Sequence, residues 1–239
     1  MIILYGGGPN FGLPEISPYV TKTEVQLKMV GVAYRKERAT PKDSPKGQVP
    51  FIDDGGERIA DSTFIRAYIE WKYCVDLDKG LDDGERAQAW AIERMVENHF
   101  GFAVGYTRFL IPENFAKGPA HFVDYAPEAQ REALREDLLT RVKANFLANG
   151  ILRHTADEIE YLGMRSLNAL SNLLGSKPYL MGDTPTSVDA ISFAMLAGLL
   201  TPFFNSDLRR RALQIENLCD YVTRMMTEFY PEFVWAEAA

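Results

Sequence analysis

Two short segments carry residues whose types and spacing suggest chemistry: Val49-Pro50, and Asp61-Ser62 eleven residues further on. A proline after the loop Pro45-Lys46-Gly47-Gln48 reads most simply as an ordinary trans strand opener. Followed by Asp61-Ser62 at a helix start, it also fits a more specific layout. A cis bond at Val49-Pro50 turns the Val49 backbone outward and leaves its N–H and C=O free to pair with an extended peptide. Ser62 and the unpaired N–H groups of its helix suit a carboxylate, and Asp61 suits an ammonium. Together these residues describe a site for a small zwitterionic peptide.

Other chemistry-bearing patterns lead nowhere. Gly6-Gly7-Gly8-Pro9-Asn10-Phe11-Gly12 invites a phosphate-loop reading, but Leu13 stands where lysine is needed, and Phe11 stands where the dinucleotide fingerprint needs a third glycine. A plain mobile loop is expected. His99, His121 and His154 share no metal spacing, and His99 reads as a packed, hydrogen-bonded residue on an apolar helical stripe. Cys74 and Cys219 lie in no metal or redox spacing, and Gly-x-Ser-x-Gly is absent. No metal is expected.

The elements that must position the site change character along the chain. Ile2 to Tyr5 reads as a buried strand stopped by glycines. Ser17-Pro18 opens a first helix, with serine at the cap and proline at the first helical position, and Gly31 closes it. Val32 to Glu37 is a second strand. Pro50 to Asp53 and Arg58 to Ala60 form a hairpin about Asp54-Gly55-Gly56, and a helix runs from Ser62 to Tyr73. Residues 76–82 read as a polar linker. Beyond them only helical periodicity appears: Ile92, Met95, His99, Phe102, Tyr106 and Phe109 on one long helix, then Leu134 to Phe146. Thr155-Ala-Asp-Glu158 is a capping box, and Thr186-Ser-Val-Asp189 a variant of one. A last stripe runs from Ile215 to Phe229. The expectation is a small α/β domain joined to an all-helical bundle of about five helices.

Composition fits such a protein. The 239 residues are 46% hydrophobic and 25% charged, ordinary values for a globular chain. With 26 basic and 33 acidic side chains the net charge is -7, so the basic excess that nucleic-acid binding uses is missing. The apolar stretch from Ala190 to Phe204 is broken by Gly198, Thr201 and Pro202 and is too short to span a membrane. No signal peptide is read at the N-terminus, and a cytoplasmic location is expected.

Four segments carry a resemblance: Ser17-Pro18-Tyr19; Gly47-Gln48-Val49-Pro50-Phe51-Ile52; Asp61-Ser62; and Tyr179-Leu180-Met181-Gly182-Asp183 leading to Thr186-Ser187-Val188-Asp189. In combination the chain resembles the cytosolic glutathione S-transferase superfamily. It is most similar to the failed-axon-connections, cadmium-resistance and metaxin-like branch, through the long loop before Ser17 and the run Glu93 to Phe100.

The resemblance implies a thioredoxin-like, glutathione-binding domain over residues 1–77 and an all-helical C-terminal domain over residues 83–239. It makes Ser17 the thiol-activating residue, with Tyr5 the runner-up. It makes Val49 the backbone partner of the cysteinyl unit at Pro50, with Asp61 and Ser62 at the γ-glutamyl end and Gln48 toward the glycyl end. Asp61 departs from the glutamate of many members and has a shorter reach. The implied activity is conjugation of the glutathione thiolate to small apolar electrophiles in a cleft lined by residues such as Phe102 and Tyr106. Glutathione is the co-substrate, and a homodimer is the family habit. The same resemblance leaves two rival readings, a non-catalytic binding module and a glutathione-dependent isomerase or peroxidase.

Overall fold

Ile2–Gly6 (β1) alternates buried and half-buried residues, as a strand in the middle of a sheet does. It pairs in parallel with Tyr34–Arg38 (β2) and antiparallel with Phe51–Asp54 (β3). Gly55 and Gly56, both at positive φ, turn β3 into Glu57–Ala60 (β4). The strand order is β2-β1-β3-β4. The parallel pair is joined by Pro18–Met29 (α1), and Ser62–Tyr73 (α2) follows the hairpin. Ile2, Leu4 and Ile52 of the sheet bury themselves against Val20, Leu27, Ile65 and Ile69 of these helices. This computed structural model describes residues 1–236.

The remaining elements are helical. Asp83–Met95 (α3) runs through a π-helical turn, Val96–Phe100, into Gly101–Phe109 (α4), with helical dihedrals throughout the junction. Pro112–Lys117 (α5), Glu128–Asn149 (α6), Ala156–Leu174 (α7), Ser187–Leu200 (α8), Asp207–Ala212 (α9) and Glu216–Phe229 (α10) complete the set among the described residues. The expectation of about five helices is thus corrected upward. The six-residue helices α5 and α9 are too short to show a periodic stripe, and the π-turn divides what reads as one rod.

Every residue of α8 is buried, so it forms the centre of the helical half and shows no polar face. Its start is fixed by Asp189. Oδ2 accepts from the Thr186 N–H at 2.8 Å, and Oδ1 accepts from the Leu180 N–H at 2.9 Å and the Tyr221 hydroxyl at 3.0 Å. The expected variant capping box is present, and it also ties the 179–182 turn and α10 to α8. No helix among the described residues is long and apolar enough to cross a membrane.

The two halves are clamped by buried charges. Lys22 of α1, fully buried, lies 3.0 Å from Glu93 and 2.7 Å from Glu97. Arg66 of α2 donates to Asp78 at 2.6 Å and to the Ser187 hydroxyl at 2.7 Å, and Asp78 accepts the Ser187 N–H at 3.0 Å. Residues 76–82 hold no regular structure, yet Leu77 and Asp78 are buried. Polar sequence there reflects this ion network as well as exposure to water.

Candidate functional site

A cavity of about 500 Å³ lies between the sheet-bearing half and the helical half. One wall is Gln48, Val49, Pro50, Asp61 and Ser62; the other includes Phe102, Val104, Phe109, Phe146 and Met195. The structure therefore brings together the five residues read from sequence as a peptide-binding set. The Val49-Pro50 bond is cis.

Asp61 stands at φ +83°, a conformation uncommon for a non-glycine residue, and is held there from both sides. Its N–H donates to the Pro50 carbonyl at 3.2 Å, and its Oδ1 accepts from the Thr63 N–H at 2.9 Å. One carboxylate oxygen thus caps α2 while the side chain lines the cavity. Ser62 is buried at the first turn of the same helix. A helix N-terminus of this kind offers N–H donors suited to a carboxylate, and a carboxylate beside it is an acceptor suited to an ammonium.

Ser17 caps α1 as expected, its Oγ accepting a long 3.4 Å bond from the Val20 N–H. That oxygen keeps its own O–H free to donate. Pro18 and Tyr19 line the cavity, whereas Ser17 sits one residue behind the lining. Tyr5 is not brought to the cavity: its ring stacks on Phe51 with centroids 4.3 Å apart. Tyr106 also lies outside the lining, packed against the helical core, so of the two aromatics expected there only Phe102 serves.

The loop between β1 and α1 is corrected most. It is no plain mobile loop, because the buried Glu15 carboxylate organises it. Glu15 accepts from the N–H groups of Gly7 at 3.1 Å, Gly8 at 2.9 Å and Ser17 at 3.2 Å, with Lys36 at 3.3 Å. Phe11 is buried against Phe122, Phe203 and Phe204, and its carbonyl accepts from the Thr201 hydroxyl at 2.6 Å. The loop is thereby bolted to the helical half, and it fixes the backbone of Ser17. His99 is half-buried, with Nδ1 3.3 Å from the Ser166 hydroxyl, as its stripe position implied.

Three polar side chains that line the cavity escape the sequence reading. Tyr19 lines the cavity, and burial, with Glu97 nearby, pushes its phenol up to about 12, so it stays a proton donor. Arg94 is held by Glu93 and Glu97 and lies over the Trp90 ring. Arg108 reaches the cavity from α4, and its Nη1 donates to the Ile16 carbonyl at 2.8 Å. Gly101, Gly105 and Arg108 all line the cavity, and their i, i+4, i+7 spacing was the available signal.

Residues 18–114 match the glutathione S-transferase N-terminal domain, and residues 163–225 match the glutathione S-transferase C-terminal domain. The chain belongs to the glutathione S-transferase family. Among its relatives, Failed axon connections from Drosophila melanogaster is 33% identical, the match covering 98% of this chain and 59% of that protein. This chain thus spans less than two thirds of that relative's length. Isoprene-epoxide--glutathione S-transferase from Rhodococcus sp. (strain AD45) is 31% identical over 82% of this chain and 85% of its own. Metaxin-3 from Xenopus laevis is 26% identical over 93% of this chain and 75% of its own.

Solved glutathione S-transferase-fold structures share the architecture. Beta-etherase LigF from Sphingobium sp. strain SYK-6 superposes with a TM-score of 0.68 at 20% identity, covering 97% of this chain and 99% of that one. A glutathione S-transferase from Methylobacterium radiotolerans, in complex with glutathione sulfonate, gives 0.63 at 18% identity, covering 100% and 97%. The thioredoxin-like half and the helical half are thus those of the glutathione S-transferase fold.

Proposed function

We propose that this chain is a glutathione S-transferase, residues 1–77 holding glutathione and residues 83–239 supplying the acceptor wall. The observation that carries the reading is the two-sided cavity, polar along Gln48 to Pro50 and Asp61-Ser62, and mainly apolar, Asn145 and Arg108 aside, along α4, α6 and α8. Asp61 takes the α-ammonium of glutathione, and Ser62 with the first N–H groups of α2 takes the γ-glutamyl carboxylate. The Val49 backbone N–H and C=O have no partner among the described residues, and they pair with the cysteinyl unit. Gln48 turns toward the glycyl end.

The chemistry depends on the thiolate. A free thiol with a pKa of about 8.5 is mostly protonated near pH 7, and a donated hydrogen bond at a helix N-terminus lowers it. Ser17 provides that donor at the start of α1. The thiolate sulfur then forms a C–S bond with the electrophilic carbon of an acceptor, and the leaving group departs with the bonding pair.

One observation favours a second reading, a binding module: the Ser17 side chain stays behind the lining with its oxygen engaged by Val20. A glutathione titration by calorimetry, beside a general electrophile assay, separates the two. Saturable heat with turnover supports the transferase. Heat without turnover supports the module, or an isomerase or peroxidase at the same site. No heat overturns all of them.

A further inference from the structure

Four charged side chains line the cavity: Asp61, Arg94, Glu97 and Arg108. Three of them have work to do within the protein. Asp61 caps α2, and Glu97 is neutralised by Lys22 and Arg94 at 2.7 Å each. Arg108 differs. It is 7% exposed, yet no carboxylate among the described residues lies within ion-pair distance. One of its five N–H donors is used, toward the Ile16 carbonyl. Burial alone lowers its guanidinium to about 10, with no charged neighbour offsetting the cost, so it is still a cation at neutral pH.

Its surroundings hold the charge in place without satisfying it. The guanidinium lies 5.7 Å from the Phe11 ring and 5.3 Å from the Phe204 ring, contacts that help a buried cation but take up none of its N–H groups. Gly198 makes the space: a Cβ there stands 3.3 Å from Nη2. A buried charge without a counter-charge is costly, and the expense is explained when a ligand supplies the missing anion. Arg108 comes from α4 and lines the same cavity as Val104, Phe109 and Met195 of the helical half and Asp61 and Ser62 of the other.

We propose that Arg108 binds an anionic group of the acceptor, so that the co-substrates of this chain are apolar electrophiles bearing a carboxylate. The proposal rests on the transferase reading for its chemistry and narrows it from apolar acceptors to acidic ones. An aromatic or aliphatic body packs on Phe102, Phe146 and Met195, and its carboxylate takes the free edge of the guanidinium in a bidentate pair.

The test compares 4-(chloromethyl)benzoate with its methyl ester. In both, the thiolate sulfur bonds to the benzylic carbon and chloride leaves with the electron pair. The wild-type protein should favour the carboxylate by about tenfold or more in kcat/KM. Arg108→Met should abolish that preference by slowing the acid far more than the ester, and Arg108→Lys should recover part of it. Benzoate and benzamide titrated by calorimetry into wild-type protein give a readout that needs neither turnover nor a folded variant, and benzoate should bind more tightly by a similar factor. If Arg108→Met slows both acceptors equally, the cation serves the thiolate and the proposal is overturned. An unchanged preference in the folded variant makes Arg108 a brace for Ile16 and overturns it too. Selective benzoate binding that Arg108→Met abolishes, without turnover of either acceptor, sustains Arg108 as the anion site and removes the transferase reading instead. Equal binding of benzoate and benzamide removes the anion site whatever the rates.

Discussion

The Lys22 ammonium lies 2.7 Å from Glu97 Oε1, and both side chains are shut away from solvent. Lys22 belongs to α1, whose N-terminus presents Ser17, and Glu97 belongs to the π-turn that faces the cavity. The pair therefore sets the distance between the two walls of the site. Removing the lysine leaves Glu93 and Glu97 buried with less neutralising charge. Lys22→Met is expected to lose about 3–5 kcal/mol of stability, the range for breaking a buried pair from one side. Urea denaturation checks this, and a midpoint equal to that of the wild type would contradict it.

A pH arm follows from Asp54. Burial raises its carboxyl, but hydrogen bonds from Tyr73 at 2.8 Å, from Lys72 at 3.0 Å and from Tyr68 outweigh burial and hold it below the ordinary 3.8. A carboxyl depressed in the folded state adds stability above its unfolded value, and this is lost as pH falls through the folded one. The stability gap between wild type and Asp54→Asn should be level from pH 7 to pH 5 and shrink below about pH 4. A gap that is level down to pH 2 would contradict the assignment.

Much of this architecture is legible in the sequence because local rules and tertiary packing agree there. Ser17-Pro18, Asp61-Ser62 and Thr155 to Glu158 each start a helix where capping chemistry says they must. The site wall of Val49, Pro50, Asp61 and Ser62 is legible for the same reason, since it is built from a strand entry and a helix start. What stays hidden is long-range. Glu15 looks like one acid in a glycine-rich loop, and only folding brings three N–H groups and Lys36 to it. Lys22 and Arg108 sit on helices where a charge reads as solvent-facing. Lys22 is buried against Glu93 and Glu97, far away in sequence, and Arg108 against Gly198 of α8, which has no polar face and so gives no sign of which neighbours it covers.

Glutathione affinity tests the polar wall. Asp61→Asn removes the negative charge but keeps an oxygen to cap α2, so fold stability should change little. Binding should weaken about ten- to a hundredfold, the worth of a charge-assisted hydrogen bond, while kcat at saturation falls far less because the residue is remote from sulfur. Calorimetry together with saturation kinetics reads both. Undiminished affinity would remove Asp61 from the ammonium position.

The central claim is that the start of α1 stabilises the thiolate of bound glutathione. Ultraviolet absorbance of the thiolate, followed across pH at saturating glutathione in the wild type and in Ser17→Ala, measures it most directly. The wild type should titrate below the free thiol value of about 8.5, and the variant should shift upward and lose about ten- to a hundredfold in rate at neutral pH. If the two curves coincide while the variant stays folded, Ser17 is a helix cap and nothing more, and a wild-type curve matching free glutathione would contradict thiol activation by this protein altogether.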